Sequence, residues 1–198
     1  MKRIAIAGGI GAGKTAATDR LASLGFTIID ADEVARGVTD CGSPAWQALR
    51  DAFGDAVLSD DGSLDRGFIA EIVFHDVTAL RRLNQITHGH IGNEIARQLD
   101  EAKGPAAFVA LPLFRPEHRS IFRLDEAWSI QASPEVAVAR LTNFRSFSEN
   151  DARARLASQM SNDERSAVVD QVIWNDGDLQ QLHEQLDVQL HRIGLRGG

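Results

Sequence analysis

Hydrophobic positions along the chain switch repeatedly between two periods. Short apolar runs, Arg3–Ala7, Phe26–Ile29, Ala106–Leu111, Asp125–Gln131 and Val168–Trp174, read as five buried strands. Between them the period lengthens to that of a helix. Thr15–Leu24 places Ala17, Leu21 and Leu24 on one face, and Leu179–Ile193 does the same with Leu182, Leu186 and Leu190. A helix over 134–143 opens with Pro134 in its first turn, where a missing N–H is harmless. A capping start at Ser148 predicts one long polar helix through about Glu164. Strands alternating with helices imply an α/β fold, a mostly parallel sheet covered on both faces.

The stretch 43–101 breaks that rhythm. It shows no strand of any length and several helical patches: Ala45–Phe53 with Trp46, Leu49 and Phe53 on one face, then Asp65–Phe74, then one or two helices from Val77 to about Leu99. Asp60-Asp61-Gly62-Ser63 is a turn, and Gly104-Pro105 closes the segment. The chain therefore divides into a core, 1–42 with 102–198, and a helical insertion, 43–101.

Gly8-Gly9-Ile10-Gly11-Ala12-Gly13-Lys14-Thr15 fits G-x-x-x-x-G-K-[ST], between a strand and a helix as a phosphate-binding loop must be. Its four glycines allow a tight turn whose N–H groups face phosphate oxygens, and the helix adds the positive end of its dipole. Gly9, Gly11, Ala12, Gly13, Lys14, Thr15 and Ala16 are the expected nucleotide contacts. Lys14 would reach the β/γ-phosphates of ATP, and the Thr15 hydroxyl would ligate Mg²⁺. Lysine is scarce, with only Lys2, Lys14 and Lys103 among 21 basic residues, so its place in the motif is not a by-product of abundance.

Composition narrows the rest. A chain of 198 residues with 43% hydrophobic content can bury a sizeable core. A net charge of −7 argues against a general nucleic-acid surface. Cys41 stands alone, which excludes an internal disulfide and suits a reducing compartment. No run reaches the ~18 apolar residues of a membrane span, and the first strand begins too early to leave room for a signal peptide, so the cytoplasm is the expected location. Oligomeric state is left open. The three tryptophans, Trp46, Trp128 and Trp174, are expected in the core.

Phosphoryl transfer needs positioned phosphates, a cation shell and a group that orients the nucleophile. In α/β sheets ligands gather at the carboxyl ends of strands, where Asp30-Ala31-Asp32 follows the second run. One of these acids is expected to cap the next helix. Asp32 is the candidate to orient and deprotonate an acceptor hydroxyl or to hold Mg²⁺, two roles that sequence does not separate. Arg140 and Arg145, near the end of the 134–143 helix, stand where a lid over 140–160 would carry phosphate-binding cations. Arg36, one turn beyond Asp32, is placed to meet an anionic group of the acceptor. His88 and His90, two apart, do not share a helix face for a metal; His88 remains a candidate acceptor contact.

In order along nearly its whole length, the chain resembles the dephospho-coenzyme A kinases, a family of P-loop kinases. Gly8–Thr15 is similar to that family's G-G-I-G-S-G-K-S, and Ile29-Asp30-Ala31-Asp32 with Ala35-Arg36 to its I-D-A-D-x-x-A-R. Gly42-Ser43-Pro44, Phe53-Gly54, Asp61–Arg66, Val73-Phe74, Leu83-Asn84, His88, Pro112-Leu113, Arg140-Leu141, Gln159 and Asp170-x-Val172-Ile173-x-Asn175-Asp176-Gly177 continue the likeness. The resemblance implies a three-layer P-loop kinase core with a helical acceptor domain and a short lid. It also implies transfer of the ATP γ-phosphate to the 3′-hydroxyl of dephospho-coenzyme A, with Asp32 as catalytic acid, Arg140 as a lid arginine and His88 in the acceptor region. Departures fall on the acceptor and lid side: His88-Gly89 for His-Pro, Phe114-Arg115-Pro116-Glu117 for the family's [FY]-E pair, Ala110 and Ala137 for polar residues, and Phe144 at the second lid arginine, with Arg145 one place along. These leave open a relative acting on another small hydroxyl or phosphate acceptor, or one that binds ATP without transfer.

Overall fold

The computed structural model describes residues 1–196. Five strands, β1 Lys2–Gly8, β2 Thr27–Asp30, β3 Ala106–Ala110, β4 Glu126–Gln131 and β5 Gln171–Trp174, form one sheet in the order β2-β3-β1-β4-β5. Every neighbouring pair is parallel. The register aligns the strands' carboxyl ends, with Asp30 opposite Ala110, Gly8 opposite Ile130 and Gln131 opposite Trp174. Each strand therefore delivers its following loop to the same edge.

One face of the sheet is strongly apolar. Ile4, Ile6, Phe108, Trp128, Ile130 and Ile173 pack against Ala17 and Leu21 of α1 (Lys14–Ser23) and Leu182, Leu186 and Leu190 of α10 (Leu179–Arg192). Each fully buried leucine of α10 contributes roughly 1.5–3 kcal/mol of transfer free energy, and three at i, i+4 and i+8 dock the helix, with Asp187 paired to Arg20 and Arg192 to Glu126 at its rim. Phe26, Phe108 and Trp128 meet edge to face, with ring centroids 5.4 and 5.6 Å apart. The other face is more polar at its carboxyl edge. There the fully buried Gln131 donates to Ser129, Ser166 and the Asn162 carbonyl, holding the short helix α9 (Asn162–Ser166) to β4.

The chain clusters into two compact units: Met1–Asp30 with the chain from Glu101 onward, and Ala31–Asp100. The second holds α2 (Ala31–Gly37), α3 (Pro44–Phe53), a 3₁₀ turn (Asp55–Val57), α4 (Arg66–His75) and nearly all of α5 (Val77–Glu101). Its core is Trp46, Leu49, Val57, Leu64 and Ile69. One isolated antiparallel bridge, Leu58 to Leu64, closes the Asp60–Ser63 turn. The stretch from Val77 is a single 25-residue helix, uninterrupted at Gly89 or Gly92.

Three expectations are corrected. The long helix predicted from Ser148 to Glu164 is two, α8 (Glu149–Ala157) and α9. The break comes where Ser161 caps α9 in a capping box with Glu164, which competes successfully with continuation of α8. Trp174 is 46% exposed rather than core, because it ends an edge strand. A short helix α6 (His118–Phe122) lies between β3 and β4, too brief to leave a periodic signal.

Candidate active site

The loop after β1 is shaped by its glycines. Gly11 and Gly13 have φ of +75° and +95°, the left-handed region that side chains resist. The Ala12 N–H donates to the Gly9 carbonyl at 3.2 Å, closing the turn. No side chain caps α1, and the first intrahelical bond runs from Ala17 N–H to the Gly13 carbonyl. The N–H groups of Lys14, Thr15 and Ala16 are therefore left for a ligand, and the dipole favours an anionic one. The side chains of Lys14 and Thr15 make no hydrogen bond or ion pair with any described residue, and Thr15 is exposed. Lys14 Cβ lies 3.5 Å from where a side chain on Gly8 would start, so the base of the lysine packs against the start of the loop.

Three later elements hold this loop in place. The buried Asn175, just past β5, donates from Nδ2 to the Ala12 carbonyl at 2.8 Å, and its own N–H donates to the Gln131 carbonyl at 2.7 Å. A Cβ on Gly13 would overlap that Asn175 nitrogen, so glycine is required there for space as well as for φ. Arg140, on α7 (Pro134–Arg145), donates to the carbonyls of Gly11 at 3.4 Å and Gly177 at 3.2 Å and to Asn175 Oδ1 at 3.5 Å. A Cβ on Gly11 would come within 2.9 Å of the Ala137 carbonyl, so α7 itself packs on the loop. The Ile10 N–H donates to Gln159 Oε1 at 3.0 Å, and Arg165 Nη2 donates to the same oxygen at 3.3 Å.

A cleft of about 580 Å³ opens beside the loop, lined by Gly9, Ile10, Ala12, Ala137, Met160, Arg165 and Trp174 among others. Val138 and Leu141 of α7 pack on Ala152 of α8, with Ile10 and Leu156 against them, so the α7–α8 hairpin roofs the loop's first residues. This volume suits a nucleotide-sized ligand.

The structure brings Gly9–Ala16 and Arg140 together. Arg145 ends α7 exposed and makes no side-chain bond to a described residue. Asp30 ends β2 at the same sheet edge as the loop, two strands away, and Asp32 follows as an exposed residue in the first turn of α2. Arg36 is exposed in the last turn of α2, where its carbonyl accepts from Arg66 Nη2 at 3.2 Å; Arg66 also donates to Thr39 Oγ1 at 2.8 Å. His88 is exposed on α5. Arg165 carries no signal in the sequence, and Asn175 enters only as part of the Asp170–Gly177 likeness, without a role. The strand-end position of Asn175, beside Gly177, was the available signal.

No group of three or more His, Cys, Asp or Glu side chains is arranged for a metal among the described residues. That suits Mg²⁺ bound chiefly by substrate phosphates and water, with one or two protein oxygens, and the exposed Thr15 hydroxyl at the helix start is such an oxygen.

The model of one protein family, described as dephospho-CoA kinase, matches residues 2–181. A dephospho-CoA kinase of Aromatoleum aromaticum is 40% identical over 95% of this chain and 91% of its own. Among solved structures, a Thermus thermophilus protein superposes with a TM-score of 0.79 at 26% identity, covering 97% of each chain. The dephospho-CoA kinase of Campylobacter jejuni superposes with a TM-score of 0.66 at the same identity and coverage.

Proposed function

The chain belongs to the dephospho-coenzyme A kinase family, and on that premise we propose that it moves the γ-phosphoryl group of ATP to the 3′-hydroxyl of dephospho-coenzyme A. The observation that carries the reading is the loop itself. Left-handed Gly11 and Gly13, an uncapped α1 and an uncommitted Lys14 form a ready triphosphate cradle in a chain that matches the family over most of its length. In the transfer, the bond from the γ-phosphorus to the β,γ-bridging oxygen breaks and a bond to the ribose oxygen forms, leaving ADP and a 3′-phosphate. Lys14 and the loop N–H groups hold the phosphates in line, and Arg140 adds charge over them when it leaves its backbone acceptors. The acceptor proton goes to Asp32 if Asp32 acts as base; otherwise Asp32 joins Thr15 at Mg²⁺. Mg²⁺, when bound, neutralises the β- and γ-oxygens. Arg36 and His88 are assigned to the acceptor. Arg145 is assigned to it as well, through the lid's swing.

No helix among the described residues is long and apolar enough to cross a membrane. The test is a coupled assay of ADP release with ATP, Mg²⁺ and dephospho-coenzyme A. ADP formed with that acceptor is the expected result. ADP formed only with other acceptors overturns the assignment, and nucleotide binding without any turnover overturns transfer altogether.

A further inference from the structure

Arg165 is unlike the other arginines of this chain. Its guanidinium lies flat on the loop: a Cβ on Gly9 would come within 3.0–3.1 Å of its Nη1, Cζ and Nη2 atoms. It is half-buried, and burial pushes its pKa down from the usual arginine value. Among the described residues no carboxylate lies within ion-pair distance of it. Its hydrogen bonds go to two neutral oxygens, Gln159 Oε1 at 3.3 Å and Asn162 Oδ1 at 3.5 Å. Glu164 attracts this half-buried cation only from beyond ion-pair distance, so its planar fork is available to a directly bonded anion.

Its partners show where that anion belongs. Gln159 Oε1 accepts from Arg165 Nη2 and from the Ile10 N–H together, so a loop amide and a guanidinium converge on one oxygen. A phosphoryl oxygen makes that same pair of contacts. The Lys14 Cβ lies 3.5 Å from where a side chain on Gly8 would start, so the residue that carries the second cation roots one residue from the Gly9 site of Arg165, at the first turn of α1. P-loop lysines serve the β/γ end of the triphosphate. Arg165 rides on an element tied to the sheet: the Asn162 side chain donates to the Ala132 carbonyl at 2.9 Å, and buried Gln131 grips Ser166.

We propose that Arg165 is a built-in cation for the transferring phosphoryl group, held against Gly9 by Gln159 and α9. The proposal rests on the phosphotransfer reading above. Arg140 is carried by α7, whereas Arg165 is carried by α9, which is bonded to β4 and the Ala132 carbonyl.

The experiment compares Arg165→Ala and Arg165→Lys with the unaltered protein, in transfer and in calorimetric binding of ADP and of a non-hydrolysable ATP analogue. Removing one preorganised charge donor lowers kcat about 10²–10³-fold. Analogue affinity falls about tenfold or more, as for a charge-assisted bond, while ADP affinity changes less than about threefold. Lysine restores part of kcat, because it keeps the charge but not the planar fork. Equal losses for ADP and analogue, or an unchanged kcat, overturn the proposal; equal losses mean that Arg165 only shapes the loop. The binding arm uses no acceptor, so it decides the role of Arg165 even if the unaltered protein fails to phosphorylate dephospho-coenzyme A. If Arg165→Ala does not fold, the lysine variant carries the same comparison.

Discussion

Gly13→Ala tests the loop at its tightest point. The substitution introduces two separable penalties. The first is backbone strain: φ at Gly13 is +95°, and an L side chain in the left-handed region costs roughly 1–2 kcal/mol. The second is steric: the new Cβ would overlap Asn175 Nδ2, which must swing away and release the Ala12 carbonyl. Leaving a buried amide and carbonyl without each other costs about 1–3 kcal/mol. Together they predict a loss of about 2–5 kcal/mol, or about 4–20 °C in Tm for a chain of this size, with a parallel loss of ATP affinity. A double-mutant cycle with Asn175→Ala separates the parts. In the Asn175→Ala background the clash is gone, so Gly13→Ala should then cost only the strain, about 1–2 kcal/mol. Thermal melts of the four proteins, with and without ATP, supply the readings. Strict additivity of the two substitutions would show that the side chains do not meet, and the account of the loop would fall.

Other outcomes follow from the same geometry. Lys14→Ala should abolish measurable transfer while Tm without nucleotide stays within about 1 kcal/mol of its original stability, since its side chain makes no bond to a described residue; coupled turnover and a melt check this. Asp32→Asn should remove activity and leave ATP affinity nearly intact; normal turnover would rule out its assigned role. Asp170 offers a pH test. Desolvation pushes its pKa up, but hydrogen bonds from Arg119 and the Ala127 N–H, with the attraction of nearby arginines, outweigh this and hold it below the usual carboxylate value. A depressed folded pKa stabilises above the unfolded pKa, near 3.8, and that contribution is lost as pH falls through the folded value. Asp170→Asn should therefore lower stability at pH 7, by no more than about 1 kcal/mol for so exposed a pair, with the difference shrinking as pH falls below the unfolded pKa and through the depressed folded one; thermal melts across pH read it.

What the sequence revealed divides by distance along the chain. The phosphate loop was legible because strand, glycines, lysine and helix are contiguous, and its chemistry is written in backbone geometry that only glycine permits. The strands were legible from short apolar runs, and Leu182, Leu186 and Leu190 marked the docked face of α10. The residues that hold the loop were not. Asn175, Gln159 and Arg165 are polar, lie in or beside turns and polar helices, and meet Ala12, Ile10 and Gly9 only through sheet order. Arg165 lies just past the end of the helix predicted from Ser148 to about Glu164, in a stretch that carried no motif of its own. The Ser161–Glu164 capping box was the missed sign that a new element, with its own orientation, begins there. Arg140, expected to act on the phosphates, lies beside their loop, where it donates to the Gly11 and Gly177 carbonyls and to Asn175 Oδ1.

The bond between Asn175 and Ala12 spans 163 residues of sequence. On a ribosome adding about 5–20 residues per second, the phosphate loop is made first and then waits roughly 8–30 s for its fastener. Over the first part of that interval β1 has neither β3 nor β4 beside it, and throughout it the Ala12 carbonyl lacks its Asn175 partner. The loop that begins the molecule is completed only after β5 has been made.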